Sequence, residues 1–123
     1  MAHILVVEDN EIMQKLVAAI LEREGHTVTV APNGKEGLDL LSVPEPPYDL
    51  IIADIMMPYA NGFEILNKVN KSEGRRIPVI IVSNLSNEQM VLEGFQLGAA
   101  DYVTKPIMAG ELLLRVKRLL NSH

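Results

Sequence analysis

A few charged and polar residues each stand at the end of a short, strand-like run. Glu8 and Asp9 follow residues 4–7, Asp54 follows 50–53, Ser83 follows 79–82, and Lys105 comes just after 101–103. Carboxylates gathered at one place repel one another and call for a compensating charge, and an all-oxygen donor set favours a hard cation such as Mg²⁺. A hydroxyl and a mobile ammonium beside them suit a different task. They can neutralise the oxygens of a phosphoryl group carried on one of the carboxylates, which is how phosphoryl transfer is stabilised. The expected chemistry is therefore a phosphoryl group accepted on Asp54, with Mg²⁺ held by Glu8 and Asp9 and the phosphoryl oxygens met by Ser83 and Lys105.

That chemistry requires a fold that brings the run ends together. Residues 4–7, 50–53 and 79–82 are apolar at consecutive positions and rich in β-branched side chains, as strands buried on both faces are. Residues 27–30 alternate polar and apolar and 101–103 are brief, which suits sheet edges. Helical patterns fall between them. Residues 11–24 carry Ile12, Leu16, Ala19, Ile20 and Arg23 at helical spacing, with Asn10 as cap and Gly25 as stop. Asn33 and Glu36 resemble a capping box opening the second helix. Residues 62–70, 87–97 and 110–121 complete a β-α unit repeated five times. Right-handed crossovers then give an α/β, doubly wound, five-stranded parallel sheet of order 2-1-3-4-5, flavodoxin-like, with helices on both faces. In such sheets ligands bind outside the carboxyl ends of the strands, where the winding reverses; here that is between the first and third strands.

Composition narrows the alternatives. The chain has 123 residues, 48% of them hydrophobic and 22% charged, enough for a single packed domain. It contains no cysteine, which excludes disulfides and cysteine-based zinc sites, and its net charge of -5 disfavours direct nucleic-acid binding. No run is long enough to span a membrane and no leader pattern is visible, pointing to a cytoplasmic protein. The glycine patterns of nucleotide-binding loops are absent. Glu8 and Asp9 would repel the free phosphate of a flavin nucleotide. A phosphatase using an aspartate nucleophile would want a second acid two residues on, where this chain has Met56. His3, His26 and His123 are expected far from the cluster. Metal-dependent hydrolysis is thus disfavoured against a stable phosphorylated state.

Four segments then spell a known pattern: Ile4-Leu-Val-Val-Glu-Asp-Asn10, Asp54-Ile-Met-Met-Pro58 with Asn61-Gly62, Val82-Ser83, and Gly98-Ala-Ala-Asp-Tyr-Val-Thr-Lys-Pro106. Over essentially its whole length the chain resembles the receiver domain of two-component response regulators. The resemblance implies that Asp54 is the phosphoacceptor, that Glu8, Asp9 and the backbone carbonyl of Met56 join it as metal ligands, and that Ser83 and Lys105 are the switch hydroxyl and the phosphate-binding lysine. Tyr102 matches the aromatic that turns inward when the hydroxyl moves. A sensor histidine kinase or histidine phosphotransfer protein is the implied donor, and self-phosphorylation and dephosphorylation the only catalysis. Because the chain ends just after its last helix, residues 1–123 read as one receiver domain with no output domain. A phosphorelay intermediate and a phosphorylation-independent interaction domain are the rival readings within the same fold.

Departures from the family pattern lie at Tyr59, Asn84 and Ile107. Met56 and Leu85, two positions past the acceptor and the hydroxyl, cannot hold a hydrolytic water firmly, so a long-lived phosphoryl group is expected. The face of the fourth helix, fifth strand and fifth helix is the expected output surface. Leu92 and Phe95 share one side of the fourth helix, Leu113 is expected to turn toward it, and Glu111, Arg115 and Arg118 rim the patch. Val91 stands where dimerising relatives often carry a basic residue, so a hydrophobic contact with a second copy or a target is expected.

Overall fold

Successive residues of a strand point to opposite faces of its sheet, so a strand apolar at every position needs a helix layer on each side. The computed structural model, which describes residues 1–57, 61–72, 76–84 and 88–121, meets that requirement. Strands β1 (His3–Val7), β2 (Thr27–Ala31), β3 (Leu50–Asp54), β4 (Val79–Asn84) and β5 (Asp101–Lys105) form one sheet in the order β2-β1-β3-β4-β5, all pairs parallel. Helices α1 (Glu11–Arg23), α2 (Gly34–Leu41), α3 (Gly62–Asn70), α4 (Glu88–Gln96) and α5 (Ala109–Leu120) alternate with the strands.

Each central strand divides its side chains between two cores. Leu5, Val7, Ile51, Ala53, Val79 and Ile81 pack with Leu41 of α2 and Ile65, Leu66 and Val69 of α3, with Met90 of α4 at the margin. Ile4, Val6, Leu50, Ile52, Ile80 and Val82 pack on the other face with Val17, Ile20 and Leu21 of α1 and Leu112 and Val116 of α5. A fully buried aliphatic side chain contributes about 1.5–3 kcal/mol, so these layers outweigh any local preference of the short strands.

Helix ends follow the capping chemistry. The side chains of Asn10, Asn33 and Asn61 accept hydrogen bonds from the backbone N–H groups of Met13, Glu36 and Glu64. The reciprocal capping box forms at Asn61–Glu64. At Asn33 the Glu36 carboxylate instead meets the Asn33 side-chain amide, so the box expected there is only half made. Gly25 and Gly98 stand at φ of 90° and 100° just after α1 and α4, a region that side-chain-bearing residues avoid.

Two expected helix faces need correction. On α1, Ile12 is 78% exposed and Leu16 and Ala19 are also exposed, while Val17, Ile20 and Leu21 are buried with Met13 beside them. The apolar residues of this helix outnumber the positions that the sheet can cover, so the stripe chosen on spacing alone is rotated from the buried one. On α5, Leu113 is partly buried against the α1 side of the core and borders a surface groove with Leu16, Ala19, Ile20 and Ala109, instead of turning toward α4. Leu114, one residue and about 100° further round the helix, is the outward leucine at 70% exposure. Pro58, Tyr59, Leu85, Asn87 and His123 lie outside the described residues.

Candidate functional site

The strand register brings the chemically interesting residues to one edge. Val7 pairs with Ala53, Asp54 with Val82, and Asn84 with Lys105, so the carboxyl ends of β1, β3, β4 and β5 stand side by side. Glu8 extends the β1 ladder by donating its backbone N–H to the Ala31 carbonyl at 3.1 Å. Its side chain is buried and accepts the Asn10 backbone N–H at 3.0 Å. Asp54, the last residue of β3, is buried as well. One of its oxygens, Oδ1, accepts the Met56 N–H at 2.9 Å, and Oδ2 accepts from Lys105 Nζ at 2.6 Å. Lys105 Nζ also lies 3.9 Å from Glu8 Oε1. The Lys105–Pro106 bond is cis.

Carboxylate oxygens of Glu8, Asp9 and Asp54 all fall within 4.8 Å of one another. Glu8 and Asp54 form the buried floor and Asp9 the exposed rim, leaving the cluster open to solvent on one side. Burial pushes the Glu8 carboxyl up to about 7; the Asn10 hydrogen bond and Lys105 oppose this, and the Asp54 charge adds to it. Burial by itself would lower Lys105, but its hydrogen bond to Asp54 and the charges of Asp54, Glu8 and Asp9 raise it above the ordinary lysine range. One ammonium among three carboxylates leaves negative charge in excess. That excess, in an all-oxygen pocket, fits a hard divalent cation such as Mg²⁺.

Close backbone approach completes the wall. A Cβ on Gly62 would stand 3.0 Å from the Asp54 carbonyl oxygen and 3.1 Å from Ile55 Cα, so glycine lets the start of α3 seat directly on the end of β3. Ser83 is buried, and its hydroxyl donates to the Asn84 carbonyl at 3.2 Å. Asn84 itself is exposed and Ile107 buried. Met56 directs its backbone N–H at Asp54 and leaves its side chain exposed. His3 and His26 lie at the opposite edge: His3 opens β1 and bonds Thr29 Oγ1 at 2.7 Å, and His26 precedes β2.

On the neighbouring face, half-buried Tyr102 meets Phe95 edge-on, with ring centroids 5.4 Å apart. Phe95 is 43% exposed and Leu92 54%, with Val91 half-buried beside them. Arg115 and Arg118 fold onto the buried Asp101 carboxylate at 2.8 and 2.5 Å, while Glu111 stands 3.9 Å from Arg115. This clasp between β5 and α5 was not anticipated. An aspartate opening a short strand, followed by two arginines three apart on the next helix, was its signal.

The family model for the response regulator receiver domain matches residues 4–117. A probable transcriptional regulatory protein of Picosynechococcus is 38% identical over 127 residues, covering 99% of this chain and 50% of the relative. Among solved structures, the Francisella response regulator 1452 receiver domain is 35% identical with a TM-score of 0.87, covering 99% of this chain and 98% of that one. The receiver domain of the sensor histidine kinase PA1611 from Pseudomonas aeruginosa, solved with a magnesium ion coordinated in its active site cleft, is 28% identical with a TM-score of 0.85 and 97% coverage of each chain. The chain belongs to the response regulator receiver domain family of two-component signalling. It spans about half the length of the curated relatives it matches. No helix among the described residues is long and apolar enough to cross a membrane.

Proposed function

We propose that the protein is a phosphorylation-dependent signalling switch that accepts a phosphoryl group on Asp54 from a phosphohistidine on a sensor histidine kinase or a histidine phosphotransfer protein. The observation that carries this reading is the Lys105 ammonium held 2.6 Å from Asp54 Oδ2 at the rim of a three-carboxylate cluster. In the transfer, an Asp54 oxygen forms a new P–O bond while the P–N bond to the donor imidazole breaks, and the electron pair stays on the imidazole nitrogen. Glu8, Asp9, Asp54 and the Met56 carbonyl would hold Mg²⁺, which supplies charge neutralisation during transfer. Lys105 is already aimed at the acceptor and would follow a phosphoryl oxygen; the Ser83 hydroxyl would rotate from the Asn84 carbonyl to another.

Loss of the Ser83 bond and the new charge would be read through Tyr102, which contacts Phe95 of α4. The α4–β5–α5 face is then the output surface, presenting Val91, Leu92, Phe95, Glu111 and Arg115 to a second copy or a target. Leu113, turned toward α1, is not part of that face. Because Asp101 already engages Arg115 and Arg118 within the chain, the contact is mainly hydrophobic. The protein turns over no separate substrate, acts in the cytoplasm, and binds neither nucleic acid nor membrane through this domain. A phosphorelay intermediate is the second reading, favoured by the likeness to a receiver domain of a sensor kinase.

Incubation with acetyl phosphate tests the core of the proposal. Acid-labile, Mg²⁺-dependent labelling that disappears in Asp54→Asn is expected. Equal labelling of that variant would overturn the assignment. Subsequent transfer of the label to a histidine phosphotransfer protein would select the relay reading.

A further inference from the structure

The acidic pair sits on a loop of only three residues, Glu8 to Asn10, between β1 and α1. The Glu8 carbonyl has left the sheet ladder and is not yet in the helix, so another group must satisfy it. Gln14 does so: its side-chain amide donates to the Glu8 carbonyl at 2.7 Å. Its backbone N–H meanwhile donates to the Asn10 carbonyl at 2.9 Å. One half-buried residue in the first turns of α1 therefore ties down both ends of the loop that carries Glu8 and Asp9.

That restraint has work to oppose. A buried carboxylate held within 4.8 Å of two others gains by swinging toward water, away from its like-charged neighbours. The Asn10 N–H holds the Glu8 carboxylate, but Asn10 is itself part of the loop. With Glu8 anchored to Ala31 on the sheet side and to Gln14 on the helix side, the peptide plane from which both carboxylates project cannot swivel freely. We infer that Gln14 is a positioning residue for the metal site, holding the Glu8–Asp9 peptide so that the carboxylates converge before a cation arrives.

This inference rests on the reading of the cluster as a Mg²⁺ site, and its test separates the two. Gln14→Met keeps length, helix preference and shape but removes the donor; Gln14→Leu removes it with a branched side chain. A single hydrogen bond of about 1 kcal/mol corresponds to roughly a fivefold change in an equilibrium constant. Isothermal titration of the unphosphorylated protein with MgCl₂ should show about a fivefold weaker dissociation constant in both variants. The acetyl phosphate labelling rate should need correspondingly more Mg²⁺ for half-saturation, yet reach a near-parental maximum once Mg²⁺ saturates. Thermal melting in EDTA reports whether each variant is folded. A folded variant that binds Mg²⁺ within twofold of the parent would overturn the role of Gln14 and leave the metal site standing. Absence of binding by the parent itself would overturn both.

Discussion

Lys105 Nζ lies 2.6 Å from Asp54 Oδ2 although the two residues are 51 positions apart and belong to strands that do not touch. The lysine reaches across the end of β4 to the acceptor, and its ammonium is the positive charge that the described geometry sets beside two buried carboxylates. Removing it should therefore be felt first where no cation can substitute. Breaking a buried ion pair costs about 3–5 kcal/mol; with Lys105 about a quarter exposed, roughly 1–3 kcal/mol is expected for Lys105→Ala in EDTA. Urea unfolding should show Mg²⁺ recovering much of that loss. The same variant should label on Asp54 but lose the coupling to α4, read as unchanged Tyr102 and Phe95 chemical shifts on phosphorylation.

Glu8 predicts a pH dependence with a definite sign. Its carboxyl titrates near 7 in the folded protein against an ordinary value of 4.5, so the folded state holds the extra proton between those values. The stabilisation from this group is fully present below about 4.5 and is lost as pH rises through about 7. Metal-free protein should accordingly lose stability over that window, and Mg²⁺ should reverse the loss most strongly at its upper end. Melting curves of the parent and Glu8→Gln, each with EDTA and with Mg²⁺, measure this. A Glu8→Gln profile as steep as the parent's would contradict it.

The phosphorylated form should be long-lived. Met56 leaves its side chain exposed beside the acceptor, and a thioether is too weak a hydrogen-bond acceptor to hold and orient an attacking water as an amide can. Met56→Asn should shorten the half-life of the acid-labile phosphoryl group several-fold, and Met56→Leu should leave it nearly unchanged. The decay of labelled protein after removal of the donor is the measurement; equal decay in all three proteins would reject the role.

Apolar residues on α5 and α4 should separate stability from association. Leu113→Ser opens a gap in the α1–α5 contact and should cost about 1–2 kcal/mol, less than a fully buried leucine would. Leu114→Ser should change stability by no more than about 0.5 kcal/mol. Leu92→Ser combined with Phe95→Ser should weaken phosphorylation-dependent self-association in analytical ultracentrifugation while sparing Asp54 labelling. Unaltered association in that double variant would remove the hydrophobic-face reading.

Much of this architecture was legible before any coordinates. Consecutive β-branched residues at 4–7, 50–53 and 79–82 announce strands covered on both faces, because no half-exposed strand could afford them. Strand order then follows, and with it the convergence of Glu8, Asp9 and Asp54, since in a parallel sheet every strand presents the same end to the same edge. Backbone geometry converts sequence position into site position there, with little help from side-chain detail.

What only the tertiary structure decided is where amphipathic patterns are degenerate and where partners are distant. Helix α1 carries apolar residues around most of its circumference, so Ile12 and Leu16 competed on equal terms with Val17 and Leu21 until the sheet selected one face. Leu113 and Leu114 differ by one residue, and a turn of about 100° sends one toward α1 and the other to solvent. The Asp101 clasp with Arg115 and Arg118, the Ser83 bond to Asn84 and the Gln14 bond to Glu8 depend on rotamers set by packing. Periodicity determines which residues repeat on a helix, whereas the rotation of that helix against its neighbours is a property of the assembled core.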